Sequence, residues 1–345
     1  MPQAAYEAEL WRFNKELHRL DIAEPLASKS SLTRAREKLK HSAFIELNTH
    51  LVNQYNQLFD PKQWNGFNLL AIDGTLCGIP REKAIVQNFG QWNGRQGNPC
   101  PKARVSQMFD VLNHITLDAQ IVPKSLGERQ LAAAHSMHID KDDLLLLDRG
   151  YEAFWLFKLI RDSDAHFCAR VSVNKMKKVQ AFVKSGEYDR VIKLPFNYNS
   201  AVKCAHYDLD KKPIKLRLIR IDLPSGETEV LINSLNNIHR YPYDVFGDLY
   251  HHGWPVEEDY KLMKCRIHIE NFSGKTVHSV FQDFHARVFA KNLASILIRS
   301  VSERIERIAE KRQYQYKANS TNTLSIVRAH IVVLFNRSKN VLHDY

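Results

Sequence analysis

Two apolar segments of the sequence each lead into an aspartate. Asp73 follows "FNLLAI" and begins the triplet "DGT", and Asp148 follows "DLLLL" and begins "DRGY". In α/β proteins functional groups collect at the carboxyl ends of strands, so both carboxylates are candidate metal ligands. Each also has an ordinary structural explanation, because Asp-Gly is a common turn signal and Asp is a good N-cap for the helix predicted after Asp148.

A third acidic candidate, Glu257, lies in the predicted helix "WPVEEDYKLMK". Glu257 and Lys264 are separated by about two helical turns, which places them on one face of the helix. The alternative is an ordinary charged helix in which Glu257 pairs with Lys261 at i,i+4 spacing.

The three carboxylates together predict a more specific chemistry. Two strand-end aspartates and a helical glutamate can converge to hold two divalent ions. Such a pair of ions activates an attacking water or hydroxyl and stabilises the departing oxygen of a phosphodiester. Oxygen-only ligands favour Mg²⁺ or Mn²⁺. Asp73, Asp148 and Glu257 are therefore the candidate catalytic and metal-binding residues.

Two other phosphate-handling classes fit the sequence poorly. Phosphatases of the haloacid dehalogenase class need D-x-D-G-T with the first Asp as nucleophile, and that position is Ala71 here. A covalent phosphoaspartate route therefore fails. The chain also has no G-x-x-x-x-G-K-[ST] motif, and its 13 glycines are few for a protein built on glycine-rich phosphate loops.

The positive charge of the chain is concentrated in two blocks. The net charge is +11, of which residues 161–222 carry +7 and residues 259–345 carry +8, whereas residues 223–258 carry −5. Basic blocks of this kind suit a polyanion, and nucleic acid is the obvious one. The alternative is a basic surface that serves solubility alone.

The N-terminal residues 1–60 are predicted to be helical, with apolar residues at helical spacing from Leu32 onward and Ser31 as the N-cap. Arg34 and Arg36 lie on this segment. They are candidate DNA contacts, and a solvated polar face is the alternative.

Beyond residue 60 the pattern alternates between strands and helices. The expected order is a strand at 67–73, two strands within 104–122 with a turn near Asn113, a helix at 127–138, a strand at 143–148, a helix at 151–164, β-structure over 165–235 with a hairpin between 215–222 and 228–235, and helices at 254–271 and 280–312.

The bulk composition indicates a globular protein of a reducing compartment. The 345 residues are 44% hydrophobic and 25% charged, and no apolar run is long enough to span a membrane. The N-terminus does not have the pattern of a secretory signal. The five cysteines are scattered without a C-x-x-C pair, which disfavours structural zinc. We expect a cytoplasmic, nucleoid-associated protein.

The acidic candidates and their neighbours resemble a known family. Tyr250, Glu257 and Lys264 match the spacing of the signature Y-x2-R-x3-E-x6-K, and Trp254 sits where an aromatic residue commonly follows the signature Arg. This signature marks a group of bacterial insertion-sequence transposases with an Asp-Asp-Glu triad. The sequence departs from it at Gly253, where the family has Arg. The segments "AIDGT" and "LLDRGY" match the first two acidic positions of the triad. The upstream "SSLTRAREKLKHSAF" and the downstream "ENFSGKTVHSVFQDFHARVFAKNL" are also similar to the group, so the resemblance covers roughly residues 30–300.

The resemblance implies an α/β fold. Its ribonuclease H-like mixed sheet would be flanked by helices, with a β-rich insertion before the last catalytic helix and a helical N-terminal region. The expected domains are a DNA-binding region at 1–62, the catalytic core at 63–164 and 241–312, the β-rich insertion at 165–240, and a basic helical region at 313–345.

The resemblance also implies an activity, which is Mg²⁺- or Mn²⁺-dependent strand cleavage and strand transfer at insertion-sequence ends. Two ions would be held by the triad. Tyr250, Lys264 and Trp254 would contact double-stranded DNA, and the protein would act as a homodimer on transposon ends and target. Two alternatives stay open: a catalytically impaired or truncated transposase-derived DNA-binding protein, and a ribonuclease H-like DNA nuclease.

Overall fold

The structure is a computed structural model. It describes the following residues: 15, 28–93, 98–223, 225–251, 255–265, 267–309, 322–323, 325–327 and 330. Within these residues, no helix is long and apolar enough to cross a membrane.

The helices of the described residues are numbered in chain order. They are α1 Lys29–Lys38, α2 Ser42–Leu58, α3 Lys83–Phe89, α4 Glu128–His135, α5 Phe154–Asp162, α6 Lys177–Lys184, α7 Ala201–His206, α8 Val245–His251, α9 Pro255–Cys265 and α10 Val277–Ala309. Short 3-10 turns cover Ser136–His138, Arg149–Tyr151 and Tyr198–Ser200.

The strands are numbered in the same way. They are β1 Asn68–Gly78, β2 Gln91–Asn93, β3 Pro99–Asp110, β4 Ile115–Val122, β5 Asp143–Leu147, β6 His166–Val171, β7 Asp189–Leu194, β8 Ile214–Asp222 and β9 Thr228–Asn233.

A nine-stranded mixed sheet organises the described residues. Its order is β2-β3-β1-β5-β6-β9-β8-β7, with β4 paired to β3 on the outer side. Strands β1, β5 and β6 are parallel, whereas β3 and β4 form antiparallel pairs. The order β4-β3-β1-β5-β6 is that of a ribonuclease H-like core, so the predicted mixed α/β fold is confirmed. All five residues of β5 are buried, as expected for a central parallel strand.

The prediction that the first strand ends at Asp73 is wrong, and no Asp-Gly turn occurs there. Strand β1 continues to Gly78 and stays paired with β3 over this length. The apolar run stops because the parallel pairing with β5 ends at Ile72, after which burial decreases. A change of environment along one strand therefore produced the same pattern as a strand end.

The β-rich segment after α5 continues the core sheet. Strand β6 pairs in parallel with β5, and β9 then pairs with β6 on its other edge. Strands β8 and β9 form the predicted antiparallel hairpin. The sequence did not predict α6 and α7, which lie within this segment.

The N-terminal helical segment differs from the prediction in two details. It is broken into α1 and α2, because Leu39 after α1 has extended backbone angles. The N-cap is Ser28 rather than Ser31, since the Ser28 hydroxyl accepts a hydrogen bond from the Ser31 backbone N–H at 3.1 Å. Ser31 is thus already in the first helical turn.

The chain divides into two compact units, residues 1–51 with 273–345, and residues 52–272. In the first unit, the Arg36 guanidinium bonds to the Asp283 carboxylate at 2.7 Å and to the Gln282 amide oxygen at 2.8 Å. The buried amides of Asn48 and Asn292 are hydrogen-bonded at 2.7 Å. The second unit contains the whole sheet. The sequence-based domain boundaries remain a prediction.

Candidate active site

Strand register places Asp73 and Asp148 side by side. The parallel pair of β1 and β5 ends with Ile72 opposite Leu147, and the two aspartates are the next residues of their chains. Because the strands are parallel, both aspartates lie at the same end of the β1/β5 pairing, where the paired segments reach their carboxyl ends. Asp73 remains within β1, opposite Gln107 of β3, and Asp148 begins the turn before α5.

Helix α9, which carries Glu257, is attached to the same part of β1. The buried Tyr260 hydroxyl donates a hydrogen bond to the backbone carbonyl of Asp73 at 2.8 Å. One helical turn further, the Lys264 ammonium donates to the Thr75 hydroxyl at 2.7 Å. These contacts bring the start of α9, and with it the exposed Glu257, towards Asp73.

A third polar contact joins α9 to the neighbouring strand. The buried Asp259 carboxylate accepts a hydrogen bond from the Gln107 amide at 3.0 Å. The i,i+4 pair expected between Glu257 and Lys261 is not the pair that forms, because Lys261 bonds to Glu258. Glu258 is thus the close ion-pair partner of Lys261, and Glu257 acts on Lys261 only through the electrostatic effect of its charge.

The charges of the three acidic candidates converge on Asp73. The pKa of Asp73 is raised to about 6, first by burial and then by the neighbouring carboxylates of Asp148, Glu257 and Glu128. A hydrogen bond from the Gly74 backbone opposes this rise. The negative charges of the three predicted residues thus act on one another, and this electrostatic environment would favour a cation.

The donor set fits a hard divalent cation in chemistry, since Asp73, Asp148 and Glu257 offer carboxylate oxygens alone. In geometry the fit is looser. Among the described residues, no three His, Cys, Asp or Glu side chains form a group tight enough to hold a metal ion. That these carboxylates hold two ions, which lie about 4 Å apart in two-metal sites, therefore stays a prediction.

Asp148 does not act as a helix cap through its side chain. It occupies the position before the 3-10 turn Arg149–Tyr151, yet its carboxylate makes no capping hydrogen bond. The carboxylate instead accepts hydrogen bonds from the Arg170 guanidinium, at 2.8 Å from Nε and 2.7 Å from Nη2. The structure thus favours a charged partner for Asp148 over a backbone role.

Glu128 is a site carboxylate that the sequence indicated only as the start of a helix. It accepts a hydrogen bond from Arg104 at 2.7 Å. A Cβ at Gly74 would lie 3.3 Å from the Glu128 Cγ and 3.6 Å from the Tyr151 hydroxyl. Glycine in the "DGT" triplet therefore lets Glu128 approach the backbone beside Asp73. The buried Tyr151 hydroxyl has no hydrogen-bond partner among the described residues.

The predicted DNA contacts have different environments. The Lys264 ammonium lies beside Thr75, two residues after Asp73, and is half-buried. Arg34 is exposed on α1. The Arg36 guanidinium is instead bonded to partners within the first unit. These contacts explain an arginine at this position without a contact to DNA. The side chain of Tyr250 and the whole of Trp254, like Gly253, lie outside the described residues.

Without metal, an Asp73→Asn variant should be more stable than the wild type at neutral pH. The pKa of Asp73 rises from 3.8 to about 6 on folding, so the folded protein holds this proton more tightly than the unfolded chain does. The stability that this proton contributes is fully present below pH 3.8 and is lost as the pH rises through about 6. Asn carries no charge, so urea unfolding with a chelator should show the variant about 1–3 kcal/mol more stable at neutral pH.

The control for this prediction is Asp222→Asn. The pKa of Asp222 is lowered by hydrogen bonds from Arg220 and Thr228, so removing its charge should not stabilise the protein at neutral pH. The advantage of Asp73→Asn should vanish in acid, where both forms of residue 73 are neutral. Equal stability of Asp73→Asn and wild type at neutral pH would contradict the raised pKa.

Comparisons with known proteins identify the family of this chain. Residues 64–293 match the family described as the transposase DDE domain. The chain is 22% identical over 298 residues to the transposase InsG for insertion sequence element IS4 of Escherichia coli (strain K12), a match that covers 84% of this chain and 66% of that protein. It is 24% identical over 238 residues to the putative transposase y4zB of Sinorhizobium fredii, covering 68% of this chain and 59% of that protein. The chain thus spans about three fifths to two thirds of the length of these relatives.

Among solved structures, the chain resembles the piggyBac transposase in a cryo-EM synaptic complex with hairpin DNA. The TM-score is 0.50 at 10% identity, over 98% of this chain and 73% of that chain. At this identity the likeness shows the fold alone. The family match covers all nine strands of the sheet, both aspartates and the whole of α9. The chain belongs to the transposase DDE domain family.

Proposed function

We propose that this protein cleaves and transfers DNA strands at insertion-sequence ends, with Asp73, Asp148 and Glu257 as the catalytic carboxylates. The observation that carries the proposal is the convergence of the three charges, in which Asp148 and Glu257 both raise the pKa of Asp73. The three residues come from a strand, a strand end and a helix that are far apart in sequence. Asp148 has an arginine partner in Arg170, but ion pairing among the three carboxylates cannot bring them together, because all three carry the same charge.

The three carboxylates would hold Mg²⁺ or Mn²⁺. Two such ions, when bound, supply an activated water or hydroxyl and stabilise the departing oxygen. The residues of the chain itself orient the carboxylates. Tyr260 fixes the backbone of Asp73, and the Asp259–Gln107 hydrogen bond fixes α9 to β3.

The DNA backbone would be held by cations around this edge of the sheet. Lys264 is proposed to contact a phosphate, and its hydrogen bond to Thr75, two residues after Asp73 on β1, supports this role. Tyr250 and Trp254 are proposed to act with it, from α8 and from the segment between α8 and α9. The exposed Arg34, on the N-terminal helices, would contribute a further contact outside the catalytic unit.

The proposed partner is double-stranded DNA, bound by a homodimer that pairs two ends. The positive blocks at 161–222 and 259–345 support a polyanionic partner. The relatives named as transposases support the same substrate class. Nucleoid association follows from this proposal, since a protein that binds DNA through many phosphate contacts remains largely on DNA.

A plasmid carrying the gene with its flanking DNA tests the proposal. Purified protein with Mg²⁺ should nick or break this plasmid at the two borders of the element, and labelled ends should appear joined to a target plasmid. A chelator should abolish both products. Binding without cleavage would favour the DNA-binding alternative, and border cleavage without joined products would favour a nuclease. Absence of both binding and cleavage would contradict the proposal.

A Gly253→Arg variant should bind end DNA more tightly. The signature pattern has Arg at this position, and a guanidinium–phosphate hydrogen bond contributes about 1–3 kcal/mol. The dependence of log affinity on log salt should steepen by about one counterion. Fluorescence anisotropy over a salt series measures both changes.

Gly247→Arg is the matched control. It adds the same side chain on α8, where a Cβ at Gly247 would have open space around it. If the two variants change affinity equally, the gain comes from net charge alone and position 253 has no special contact. Circular dichroism verifies that both variants fold.

A further inference from the structure

Three polar side chains are hydrogen-bonded in series from the backbone of Asp73: the buried Ser106 and His135, and the partly exposed Asp118. The Ser106 hydroxyl lies 3.3 Å from the Asp73 carbonyl oxygen and 2.9 Å from His135 Nε2. On the other side of the ring, His135 Nδ1 lies 2.7 Å from an Asp118 carboxylate oxygen. The residues come from β3, β4 and α4. Strand β4 pairs with β3, and α4 contacts both β3 and β1.

Ser, His and Asp in this order have the connectivity of a nucleophilic triad, yet a nucleophilic role does not fit. Ser106 and His135 are both 0% exposed, so no substrate carbonyl can reach the hydroxyl. Ser106 is also a regular residue in the middle of β3, paired with Gly74 of β1. The hydroxyl faces the Asp73 carbonyl instead of a cleft.

The proton positions in this hydrogen-bonded series follow from Asp118, its last member. Burial opposes ionisation of Asp118, but hydrogen bonds from His135 and Gln120 outweigh it and hold its pKa at about 2. An ionised carboxylate can only accept, so His135 Nδ1 donates to it. Ser106 has one hydroxyl proton, so it donates to the Asp73 carbonyl when His135 Nε2 also carries a proton and donates to the Ser106 oxygen. The Asp118–His135 bond thus fixes the ring that orients Ser106.

The Asp73 carbonyl is also the acceptor for Tyr260 of α9. Two elements therefore meet at this one backbone atom. Helix α4 reaches it through His135 and Ser106, and the helix that carries Glu257 reaches it through Tyr260. Since the Asp73 side chain extends from the same residue, the position of this peptide sets the position of its carboxylate.

We propose that Ser106, His135 and Asp118 are positioning residues that fix the Asp73 peptide so that its carboxylate meets those of Asp148 and Glu257. This role rests on the proposed metal-dependent activity of the triad. None of the three touches DNA or a reacting atom. Their effect should therefore appear in the metal requirement more than in cleavage at saturating metal.

Two substitutions of one residue test the role. In His135→Gln the side-chain amide can occupy the place of Nε2 and keep the bond to Ser106. In His135→Asn the amide can occupy the place of Nδ1 and keep only the bond to Asp118. Both variants lose one hydrogen bond, and Asn also leaves a larger cavity than Gln because it is shorter by one methylene group. The comparison is therefore made on metal affinity, and thermal unfolding measures the loss of stability that the cavity causes.

We expect His135→Asn to weaken Mn²⁺ binding to the DNA-free protein by about 3- to 10-fold, the equivalent of one buried hydrogen bond. His135→Gln should change it by less than about 2-fold. Calorimetric titration with MnCl₂ measures the affinity. The Mg²⁺ concentration for half-maximal plasmid cleavage should shift in the same ratio, with cleavage recovering at high Mg²⁺.

Ser106→Ala is the second variant, chosen because it removes one oxygen and leaves the backbone of β3 free to pair. It should behave as His135→Asn does. Thermal unfolding of all variants separates a loss of folding from a loss of positioning. Ser106→Ala keeps the test decisive if neither His135 variant folds.

Two results overturn the inference: equal Mn²⁺ affinity of the Asn and Gln variants, or a folded Ser106→Ala protein with wild-type affinity. Asp73→Asn distinguishes this failure from failure of the proposed function. If Asp73→Asn still cleaves, the triad itself is wrong. If Asp73→Asn is inactive while Ser106→Ala keeps the wild-type metal requirement, the triad stands and the positioning role falls.

Discussion

A folded Asp148→Asn variant should lose metal-dependent cleavage by a factor on the order of 10³ or more. A carboxylate that holds a catalytic ion contributes several kcal/mol to transition-state stabilisation, and each 1.36 kcal/mol is about tenfold in rate. Asn keeps the shape of Asp and loses the charge. The measurement is the initial rate of plasmid border cleavage at saturating Mg²⁺, with circular dichroism to verify the fold.

The competing explanation of Asp148 makes the opposite prediction. Asn is as good an N-cap as Asp, so a residue that only capped the following helix would tolerate the change. The structure already disfavours this explanation, because the Asp148 carboxylate makes no capping bond and pairs with Arg170. A folded Asp148→Asn variant that cleaves at the wild-type rate would remove Asp148 from the metal site.

Asp222→Asn is the control for the lost ion pair. Like Asp148, Asp222 accepts a hydrogen bond from an arginine, Arg220, at 2.9 Å. Its carboxylate is not among those that raise the pKa of Asp73. Asp222→Asn should therefore cleave at the wild-type rate. A large loss in this control would show that any broken carboxylate–guanidinium pair disturbs the protein, and Asp148→Asn would then carry no information about metal.

The acidic residues were predictable from sequence because each lies at a change in local pattern. Asp73 and Asp148 end apolar runs, and Glu257 lies on a helix whose face is marked by Lys264. The same signal gave the wrong local structure at Asp73. The apolar run ended where the pairing with β5 ended, while the pairing with β3 continued to Gly78. Sequence patterns report burial, and burial along one strand changes with its neighbours.

The surroundings of the site could not be predicted in this way. Glu128, Ser106 and His135 reach Asp73 or Gly74 only because the sheet order places β3 beside β1 and α4 against both. No short spacing relates these residues. Ser106 lies in a strand that alternates only partly, and His135 had no feature beyond its place near the end of a predicted helix. Long-range pairing determines their neighbours.

The β-rich segment shows the same limit on a larger scale. Its hairpin was predictable from "LPSGE" between two alternating runs. Its attachment to the core was not, because the pairing of β6 with β9 joins residues far apart in sequence. Helices α6 and α7 are short, and a few helical residues between strands give little periodicity to detect.

Arg217→Ala should lower the free energy of unfolding by about 3–5 kcal/mol, as expected when one partner of a buried charge pair is removed. Arg217 is 0% exposed on β8. Its guanidinium bonds to both carboxylate oxygens of Asp189 and donates to the Tyr241 carbonyl at 2.6 Å and the Leu235 carbonyl at 3.3 Å. Urea unfolding at neutral pH measures the loss.

The same contacts predict that Arg217 affects the candidate active site as well as the stability of the protein. Leu235 and Tyr241 lie in the segment that leads from β9 to α8. Helix α9, which carries Glu257, follows α8. Arg217 therefore attaches the segment that precedes α8 and α9 to strand β8 of the sheet. We expect the cleavage rate of Arg217→Ala to fall even at temperatures where the variant remains folded. An unchanged rate in the folded variant would restrict Arg217 to stability.

Arg220→Ala provides the matched control on the same strand. Arg220 pairs with Asp222 at the end of β8, where the carboxylate is exposed to solvent. Exposed ion pairs contribute little to stability, because water and salt screen them. Arg220→Ala should therefore unfold close to the wild-type urea concentration. If both variants are destabilised equally, the loss reflects the strand position and the number of positive charges. A large difference between them would show that burial of the Arg217 guanidinium, with its four acceptors, is what holds this part of the sheet to the segment before α8.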